Sequence, residues 1–361
     1  MQEISQYFRN CLHYSTDAKG FYYPSRFFPE QASAYRVNAI YRIAFRSQSQ
    51  VCLGFKTNAE RISFVCKPVH DLHKILTLLT EPMTLYQVED KAPKKKPFRK
   101  SADANALGIR QQAVFELFVD EIAVDIRKPK KGKVEFLLNN PDHSWHEVRI
   151  YFPYTRQVGV KDLWADGELQ ALPPKDTILC LGDSITQGAN ASMTSKTYVF
   201  RLAQYLNADT VNQGVSGYVY SEDALNGLEN LPFRPKLVTS AYGTNDWQWS
   251  ASEEKTKNRI KAYLKKLHAL FPDIPIFILT PLWRADEETP LALGPMPQYR
   301  DWIAKEADHY ENMYVVDGAA LISHDARYLQ DGMLHPNDAG FEHMAKGLAE
   351  EIIKVISDCK A

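Results

Sequence analysis

The spacing of hydrophobic positions divides the chain into two halves of different character. In the first half, short runs alternate between apolar and polar residues, as in 51–55 and 134–138, which is the period of a half-buried β-strand. Polar turns separate these runs, and no long helical pattern lies between them. Short strands without intervening helices favour an all-β sandwich of the jelly-roll-like kind. The predicted strands cover residues 39–46, 51–56, 62–66, 114–119, 134–138 and 148–152, and a hairpin is predicted at 159–167.

From residue 177 onward, apolar strands alternate with amphipathic helices. The strand at 178–181 is apolar throughout, as expected for a strand covered on both faces. This succession of strands and helices predicts a parallel sheet with helices on both faces, which is a three-layer α/β/α domain. The predicted strands are 178–181, 210–211, 237–241, 276–280 and 313–316, and the predicted helices are 195–206, 252–270, 298–309 and 338–356.

A chain of 361 residues is long enough for two domains that each bury a core. We predict an all-β accessory domain at residues 1–172 and an α/β domain at 173–361, joined by a proline-containing linker. Within the first domain, residues 71–80 fit a helix and a strand equally well. The basic runs 91–100 and 127–133 contain proline or glycine residues typical of turns, so we interpret them as solvated loops rather than phosphate-binding sites.

Loops that follow the strands of the second half carry the residue types that acyl transfer needs. Ser184 comes directly after the first strand, and ligands of open α/β sheets bind beyond the carboxyl ends of the strands. A nucleophilic serine also needs a base, a group that orients the base, and donors for an oxyanion. Gly214 offers a backbone N–H and Asn245 a side-chain amide, although each residue is equally typical of a simple turn or cap. His335 precedes a proline that favours an extended loop at the entrance of the last helix.

Four sequence blocks in the second half resemble those of a known family. The blocks Gly182-Asp-Ser184, Asn212–Gly217, Gly243–Asp246 and His335–Asn337 resemble, in this order, the four blocks of the SGNH, or GDSL, hydrolases, an esterase- and lipase-like family. The similarity extends over about residues 177–356. Each block alone is unspecific, whereas four blocks in the family's order are strongly specific.

The resemblance implies a flavodoxin-like hydrolase domain and a role for each loop residue. Ser184 would attack an ester carbonyl, and His335 would remove its proton and later protonate the leaving alcohol. The oxyanion would be held by the backbone N–H of Ser184, the backbone N–H of Gly214 and the side chain of Asn245. Losing one such donor typically lowers turnover by about 10²- to 10³-fold.

The residue that orients His335 departs from the family pattern. The family usually has Asp-x-x-His, whereas Asp331-Gly-Met-Leu-His335 contains one additional residue. Asp331 reaches His335 if Gly332 allows the loop to bulge, since glycine adopts unusual backbone angles at low cost. The alternative is a Ser-His dyad in which a backbone carbonyl orients the imidazole. We favour Asp331 as the third catalytic residue.

Composition and charge indicate which kinds of binding partner and which cellular location to expect. A formal net charge of −1 gives no reason to expect nucleic acid, whose binding depends on clustered Lys and Arg. The amino terminus resembles no secretory signal, no apolar run approaches the roughly 18 residues of a membrane span, and the five cysteines are scattered. We therefore expect a cytoplasmic protein without membrane contact. No metal-ligand spacing is visible and the chemistry needs no cofactor, and we leave homo-oligomerisation open.

Aromatic and basic side chains near the predicted strand ends suggest a substrate class. Tyr218, Trp247 and Trp283 have faces that stack on sugar rings, and Arg284 could hold hydroxyl groups or a carboxylate. An equally weighted interpretation places these residues at the domain interface. Some relatives that resemble carbohydrate esterases also carry an amino-terminal β-sandwich. We therefore predict an esterase for a short acyl group, preferably acetyl, on a carbohydrate or another small polar alcohol, with an acyltransferase or a non-catalytic sugar-binding protein as alternatives.

Overall fold

The computed structural model of the chain describes residues 3–37, 39–71 and 114–358. Within these ranges, the strands of the first half form two antiparallel sheets, which confirms the predicted β-rich architecture. The strands are β1 (Phe8–Arg9), β2 (His13–Thr16), β3 (Tyr22–Ser25), β4 (Cys52–Thr57), β5 (Arg61–Asp71), β6 (Phe115–Val119), β7 (Ile122–Arg127), β8 (Lys133–Leu137), β9 (His146–Tyr151), β10 (Arg156–Ala165) and β11 (Leu169–Ala171). One sheet has the order β1-β4-β9-β6-β7 with β11 beside β4, and the other has the order β2-β3-β10-β5-β8.

Alternation along the strands places the core of the sandwich between its sheets. In β8, Val134 and Phe136 are buried, whereas Lys133, Glu135 and Leu137 are exposed. The same alternation was visible in the sequence, because successive side chains of a strand point to opposite faces. Phenylalanine side chains from both sheets fill much of this core, namely Phe55, Phe64, Phe115 and Phe136.

The second half contains a five-stranded parallel sheet covered by helices on both faces. Its strands are β12 (Thr177–Gly182), β13 (Asp209–Gly214), β14 (Leu237–Ala241), β15 (Ile276–Leu279) and β16 (Met313–Val316), in the order β13-β12-β14-β15-β16. This order is that of flavodoxin-like folds, in which the first strand lies between the second and third. The predicted three-layer α/β/α architecture is therefore confirmed.

The helices bury one apolar face each against this sheet. Leu179 and Leu181 of β12 point into one core, and Ile178 and Cys180 point into the other. The α-helices of the described chain are α1 (Ala32–Tyr35), α2 (Ala39–Ala44), α3 (Ser184–Gln187), α4 (Tyr198–Tyr205), α5 (Thr244–Trp249), α6 (Glu253–Leu270), α7 (Met296–Ala307) and α8 (Asp338–Asp358). Short 3-10 turns cover Ile4–Tyr7, Pro29–Gln31, Thr194–Lys196, Glu222–Leu225, Leu228–Asn230, Gly318–Leu321 and Ala326–Tyr328. None of the helices within these ranges has the length and apolarity needed to cross a membrane.

Two predictions for the first half were wrong in detail. Residues 39–46 were predicted as a strand, but they contain α2, whose buried residues Tyr41 and Ala44 are spaced three apart as on one helix face. The segment 159–167 was predicted as a hairpin, but β10 runs through it as one strand. A bulge opposite β5 accommodates its polar residues, and Asp162 there has a φ of +52°.

The amino-terminal helices pack on the parallel sheet rather than on the sandwich. Tyr35, Tyr41 and Ala44 are buried in the same core as Val211 and Tyr218 of the second half. The two halves of the chain therefore share one apolar core. The domain limits at 1–172 and 173–361 stay a proposal, and residues 72–80 and 91–100 lie outside the described residues.

Candidate active site

Ser184 lies at the carboxyl end of β12, as the first residue of α3. The side chain of Asp183 accepts a hydrogen bond of 3.0 Å from the N–H of Ile185 and thereby caps the helix. Gly182 permits the sharp turn, because a Cβ there would lie 2.0 Å from Thr186 Oγ1. Ser184 thus lies at the carboxyl edge of the sheet with 5% of its surface exposed.

Ser184, His335 and Asp331 form a continuous hydrogen-bonded chain. Ser184 Oγ lies 2.9 Å from His335 Nε2, and His335 Nδ1 lies 2.6 Å from Asp331 Oδ2. A carboxylate beside Nδ1 favours the imidazole tautomer with the proton on Nδ1. Nε2 is then free to accept the proton of Ser184, which is the arrangement that activates a serine.

Asp331 also builds the loop that carries His335. Its Oδ1 accepts hydrogen bonds from the N–H groups of Met333, Leu334 and His335 at 2.8 to 3.1 Å. Gly332 has a φ of +68°, a conformation that glycine adopts without strain. The residue added relative to the family pattern is thus accommodated in a turn around the carboxylate, and Asp331 reaches the imidazole directly.

The surroundings of Asp331 keep its carboxyl group ionised. Burial acts to raise its pKa, but the hydrogen bond and charge of His335, together with the backbone N–H groups of Leu334 and Met333, outweigh that effect. The pKa of Asp331 is therefore held well below its usual range. At neutral pH the carboxylate is charged and can accept a hydrogen bond from His335 Nδ1–H.

Asn245 lies between the serine strand and the loop after β13. Its Nδ2 donates to the carbonyl of Tyr218 at 2.9 Å and makes a long contact of 3.4 Å with Asp183 Oδ2. The amide therefore bridges the residue before Ser184 and the loop of Gly214. A long contact is weak and easily exchanged for a better acceptor.

Gly214 does not offer the free N–H that the sequence suggested. Its N–H donates to Asn212 Oδ1 at 2.8 Å, and a Cβ at this position would lie 2.1 Å from the backbone nitrogen of Gln187. Gly214 is a glycine because β13 packs directly against α3. The physical reason for this correction is that the Asn212 side chain already accepts the hydrogen bond assigned to an oxyanion.

Gly217, which lies in the same sequence block but was not among the predicted site residues, has a backbone N–H that is not engaged in the described structure. Within the described part of the chain, neither its N–H nor that of Ser184 donates a hydrogen bond. Gly217 has a φ of +79°. The carbonyl of the next residue, Tyr218, accepts a hydrogen bond from the side-chain amide of Asn245. The Ser216-Gly217 dipeptide directly after a strand is a turn signal that could have drawn attention to this residue.

Three of the four residues proposed to bind substrate are buried in the protein. Tyr218 donates its hydroxyl to the carbonyl of Ala34, and Trp247 donates its indole N–H to Gly294. Trp247 and Arg284 are fully buried, with the guanidinium 4.8 Å from the indole ring. The polar groups of these side chains are therefore engaged inside the protein, and their role as substrate contacts stays a prediction.

Arg284 and Trp283, which are adjacent in sequence, differ in exposure. Arg284 is paired with Asp286, with 3.0 Å between Nη2 and Oδ2, and it donates to Thr244 in α5. Its donors are therefore occupied by the protein. Trp283 is half-buried and stacks on His324 with 5.4 Å between ring centroids, so part of its side chain is exposed.

Asp183, next to the serine, has an unusual proton affinity. Burial disfavours its charged form and raises its pKa to about 7. Between pH 4 and pH 7 the folded state then binds a proton that the unfolded state releases, so this group makes the protein less stable as pH rises. Well above pH 7, Asp183 is ionised in both the folded and the unfolded state, so its contribution to the free energy of unfolding no longer changes with pH.

Replacing Asp183 by Asn should remove this dependence, because the amide oxygen can still cap Ile185 without ionising. Urea unfolding at pH 5, 6, 7 and 8 measures it. We expect the free energy of unfolding of Asp183→Asn to rise relative to that of the wild type by about 3 kcal/mol between pH 5 and pH 8. A difference that does not change with pH would contradict an Asp183 pKa near 7.

A serine that is hydrogen-bonded to a histidine, which is in turn oriented by an aspartate, is the arrangement found in enzymes that transfer acyl groups through a serine. Residues 180–343 match the sequence model of the GDSL-like Lipase/Acylhydrolase family, which confirms the resemblance carried by the four sequence blocks. The family supports an activity on acyl esters. No curated protein sequence matches the chain.

Several solved structures share the whole two-part fold. A salicylyl-acyltransferase, SsfX3, from a tetracycline biosynthetic pathway superposes with a TM-score of 0.73 at 17% identity, covering 96% of this chain and 94% of its own. A protein described as a GDSL-like lipase from Bacteroides ovatus gives 0.64 at 20% identity, with 90% of both chains covered. A family two carbohydrate esterase from Cellvibrio japonicus gives 0.62 at 14% identity, covering 98% of this chain and 96% of its own. At these identities the similarity is one of fold.

Proposed function

We propose that this protein is a serine esterase that hydrolyses a short acyl ester through an acyl-enzyme on Ser184. The observation that carries the proposal is the unbroken chain from Ser184 Oγ through His335 to Asp331. Each link has the length of a direct hydrogen bond. The ionised Asp331 stabilises the imidazolium that forms when His335 takes up the serine proton.

The first half of the reaction acylates the serine. Ser184 Oγ forms a bond to the ester carbonyl carbon while His335 Nε2 accepts its proton, and the carbonyl oxygen becomes an oxyanion. Collapse of this intermediate breaks the ester bond, and His335 gives the proton to the departing alcohol. Water then repeats the sequence on the acyl-enzyme, which releases the carboxylic acid and returns the proton to Ser184.

The oxyanion is held in this proposal by three donors. They are the N–H groups of Ser184 and Gly217 and the Nδ2 of Asn245, which exchanges its long contact with Asp183 for the oxyanion. Gly217 replaces Gly214 in this role. Fixed donors of this kind stabilise the transition state more than the substrate, because the charge exists only once the bond to Ser184 forms.

Replacing Asn245 by Ala should lower kcat by about 10²- to 10³-fold, since one of the three donors is lost. KM for a p-nitrophenyl ester should change little, because the uncharged ester needs this donor less. Steady-state kinetics with p-nitrophenyl acetate measure both constants, and thermal melting checks the fold. A kcat within threefold of the wild type would exclude Asn245 from the oxyanion site.

We propose acetyl, or a similarly short group, on a carbohydrate or another small polar alcohol as the substrate. Support comes from the family two carbohydrate esterases among the proteins of the same fold and from the partly exposed side chain of Trp283. A panel of p-nitrophenyl esters from acetyl to octanoyl, alongside acetylated saccharides, tests this choice. Rates that rise with acyl chain length would contradict it.

An acyltransferase that uses the same residues is the second candidate, because SsfX3, with a TM-score of 0.73, is named as a salicylyl-acyltransferase. Acyl transfer to an added alcohol that outpaces hydrolysis would favour it. A non-catalytic sugar-binding protein is the third candidate. Complete inertness toward the ester panel together with tight binding of a glycan would favour that role.

A further inference from the structure

The turn that carries Gly217 is held in place by residues of the first half of the chain. Residues 215–218 form this turn, which we call the oxyanion turn, closed by a hydrogen bond of 3.0 Å from the N–H of Tyr218 to the carbonyl of Val215. The hydroxyl of Tyr41 in α2 donates to the carbonyl of Gly217 at 2.8 Å. Tyr41 is only 2% exposed, so this hydrogen bond lies inside the protein.

A second connection fixes the same turn from its other side. Gln187 Oε1 accepts hydrogen bonds of 2.7 Å from both the N–H and the hydroxyl of Ser216. Gln187 Nε2 in turn donates to Ser47 Oγ at 2.8 Å, and Ser49 Oγ donates to the carbonyl of Gln187. Gln187 thus connects the oxyanion turn to the helix that begins with Ser184, and the segment that follows α2 holds Gln187 in place.

Arg26 completes this buried polar cluster. Its guanidinium donates to the carbonyls of Ser47 and Gly214 and contacts Asn212 Oδ1, all of which are uncharged. Burial without a carboxylate partner lowers the pKa of Arg26 to about 9. A buried guanidinium with this many acceptors fixes the backbone at the end of β13, where the oxyanion turn begins.

We infer that Tyr41, in the first half of the chain, is a positioning residue. Its hydrogen bond to the carbonyl of Gly217 orients the Gly217 N–H toward the oxyanion. The inference rests on the esterase function proposed above. A glycine with positive φ has no side chain to restrict it, so the direction of its N–H depends on neighbouring contacts. The Tyr41 hydroxyl donates to the Gly217 carbonyl, which belongs to the peptide group between Gly217 and Tyr218. The Tyr41 ring packs so closely that a Cβ on Gly217 would lie 3.3 Å from it. Donors fixed before the reaction stabilise the oxyanion without the cost of reordering.

Tyr35 provides a matched control for Tyr41. Both tyrosines are buried in the same core, and their rings lie 4.7 and 4.9 Å from the ring of Tyr218, respectively. The Tyr35 hydroxyl, however, has no hydrogen-bond partner among the described residues. Replacing either tyrosine by Phe removes one buried hydroxyl and keeps the ring, but Tyr41→Phe also removes the hydrogen bond to Gly217.

The test compares wild type, Tyr41→Phe and Tyr35→Phe with p-nitrophenyl acetate. We expect Tyr41→Phe to lower kcat by about tenfold with KM within twofold, because a correctly directed donor acts mainly in the transition state. Phenylboronic acid, which forms a tetrahedral adduct with a nucleophilic serine, should bind Tyr41→Phe more weakly by a similar factor. Tyr35→Phe should match the wild type in both measurements, and all three proteins should melt within a few degrees of one another.

Different outcomes separate this inference from the proposed function. An inactive wild type would overturn the esterase proposal and with it the role of Tyr41. An active wild type with an equally active Tyr41→Phe would overturn the positioning role alone. The same follows if Tyr35→Phe loses as much activity as Tyr41→Phe, or if boronate affinity is unchanged, because either result would mean a general packing effect.

Discussion

Replacing Ser184 by Ala should reduce the turnover of a short-chain aryl ester by about 10⁵- to 10⁶-fold, the largest loss expected from any single substitution. Without the hydroxyl no acyl-enzyme can form, and His335 has no serine proton to accept. The residual rate would come from binding and from the oxyanion donors, which remain in place. The purified variant should keep the melting temperature of the wild type to within a few degrees, because among the described residues the Ser184 hydroxyl hydrogen-bonds to His335 alone.

Ser192→Ala is the matched control for this substitution. Ser192 lies eight residues further along the chain, is exposed, and hydrogen-bonds through its hydroxyl to Asp338 rather than to His335. Its loss should leave kcat within twofold. A fluorophosphonate probe should label the wild type and Ser192→Ala but not Ser184→Ala. Labelling of Ser184→Ala, or turnover within tenfold of the wild type, would identify another nucleophile and refute the proposed mechanism.

Replacing Asp331 by Asn should lower kcat by about 10⁴-fold, the second largest effect. The amide oxygen of Asn can still accept the three backbone N–H groups of the loop, so the turn should persist. Its NH₂ group would face His335 Nδ1, which must then accept rather than donate. The imidazole proton would move to Nε2, where it prevents removal of the serine proton.

Asp325→Asn provides the comparison for Asp331. Asp325 also accepts a backbone N–H, that of Arg327, but it lies in the neighbouring loop and makes its side-chain contacts with Arg327 rather than His335. We expect kcat within twofold for this variant. If Asp331→Asn lost less than about tenfold, a backbone carbonyl would have to orient His335, and the site would act as a dyad.

The strands and helices of the second half were predictable because the residues within each element follow one regular pattern of burial. A strand covered on both faces is apolar throughout, and a helix on the sheet has one apolar stripe, so β14 and β16 have the predicted bounds. In the first half, the run 39–46 could not be assigned from its own pattern. Its partners are Val211 and Tyr218, which lie more than 160 positions further along the chain.

The candidate site was predictable in its residue types but not in its hydrogen bonds. Sequence order placed Ser184, Asn245 and His335 at one sheet edge, because parallel strands end together. Which glycine keeps a free N–H depends on the Asn212 side chain, whose orientation no sequence pattern contains. Likewise, the sequence does not show that Trp247 and Arg284 are buried. Both side chains make their hydrogen bonds to groups inside the protein.

The core shared by the two halves limits how this protein can be divided or recombined. Tyr35, Tyr41 and Ala44 cover apolar surface on the parallel sheet, and Arg26 supplies donors to the carbonyl oxygen of Gly214. A gene fragment that encoded only residues 173–361 would leave that surface bare and those acceptors without their donor. The catalytic half is therefore not an interchangeable module, and exchanging accessory domains between homologues would require transferring the segment around residues 26–50 together with the hydrolase half.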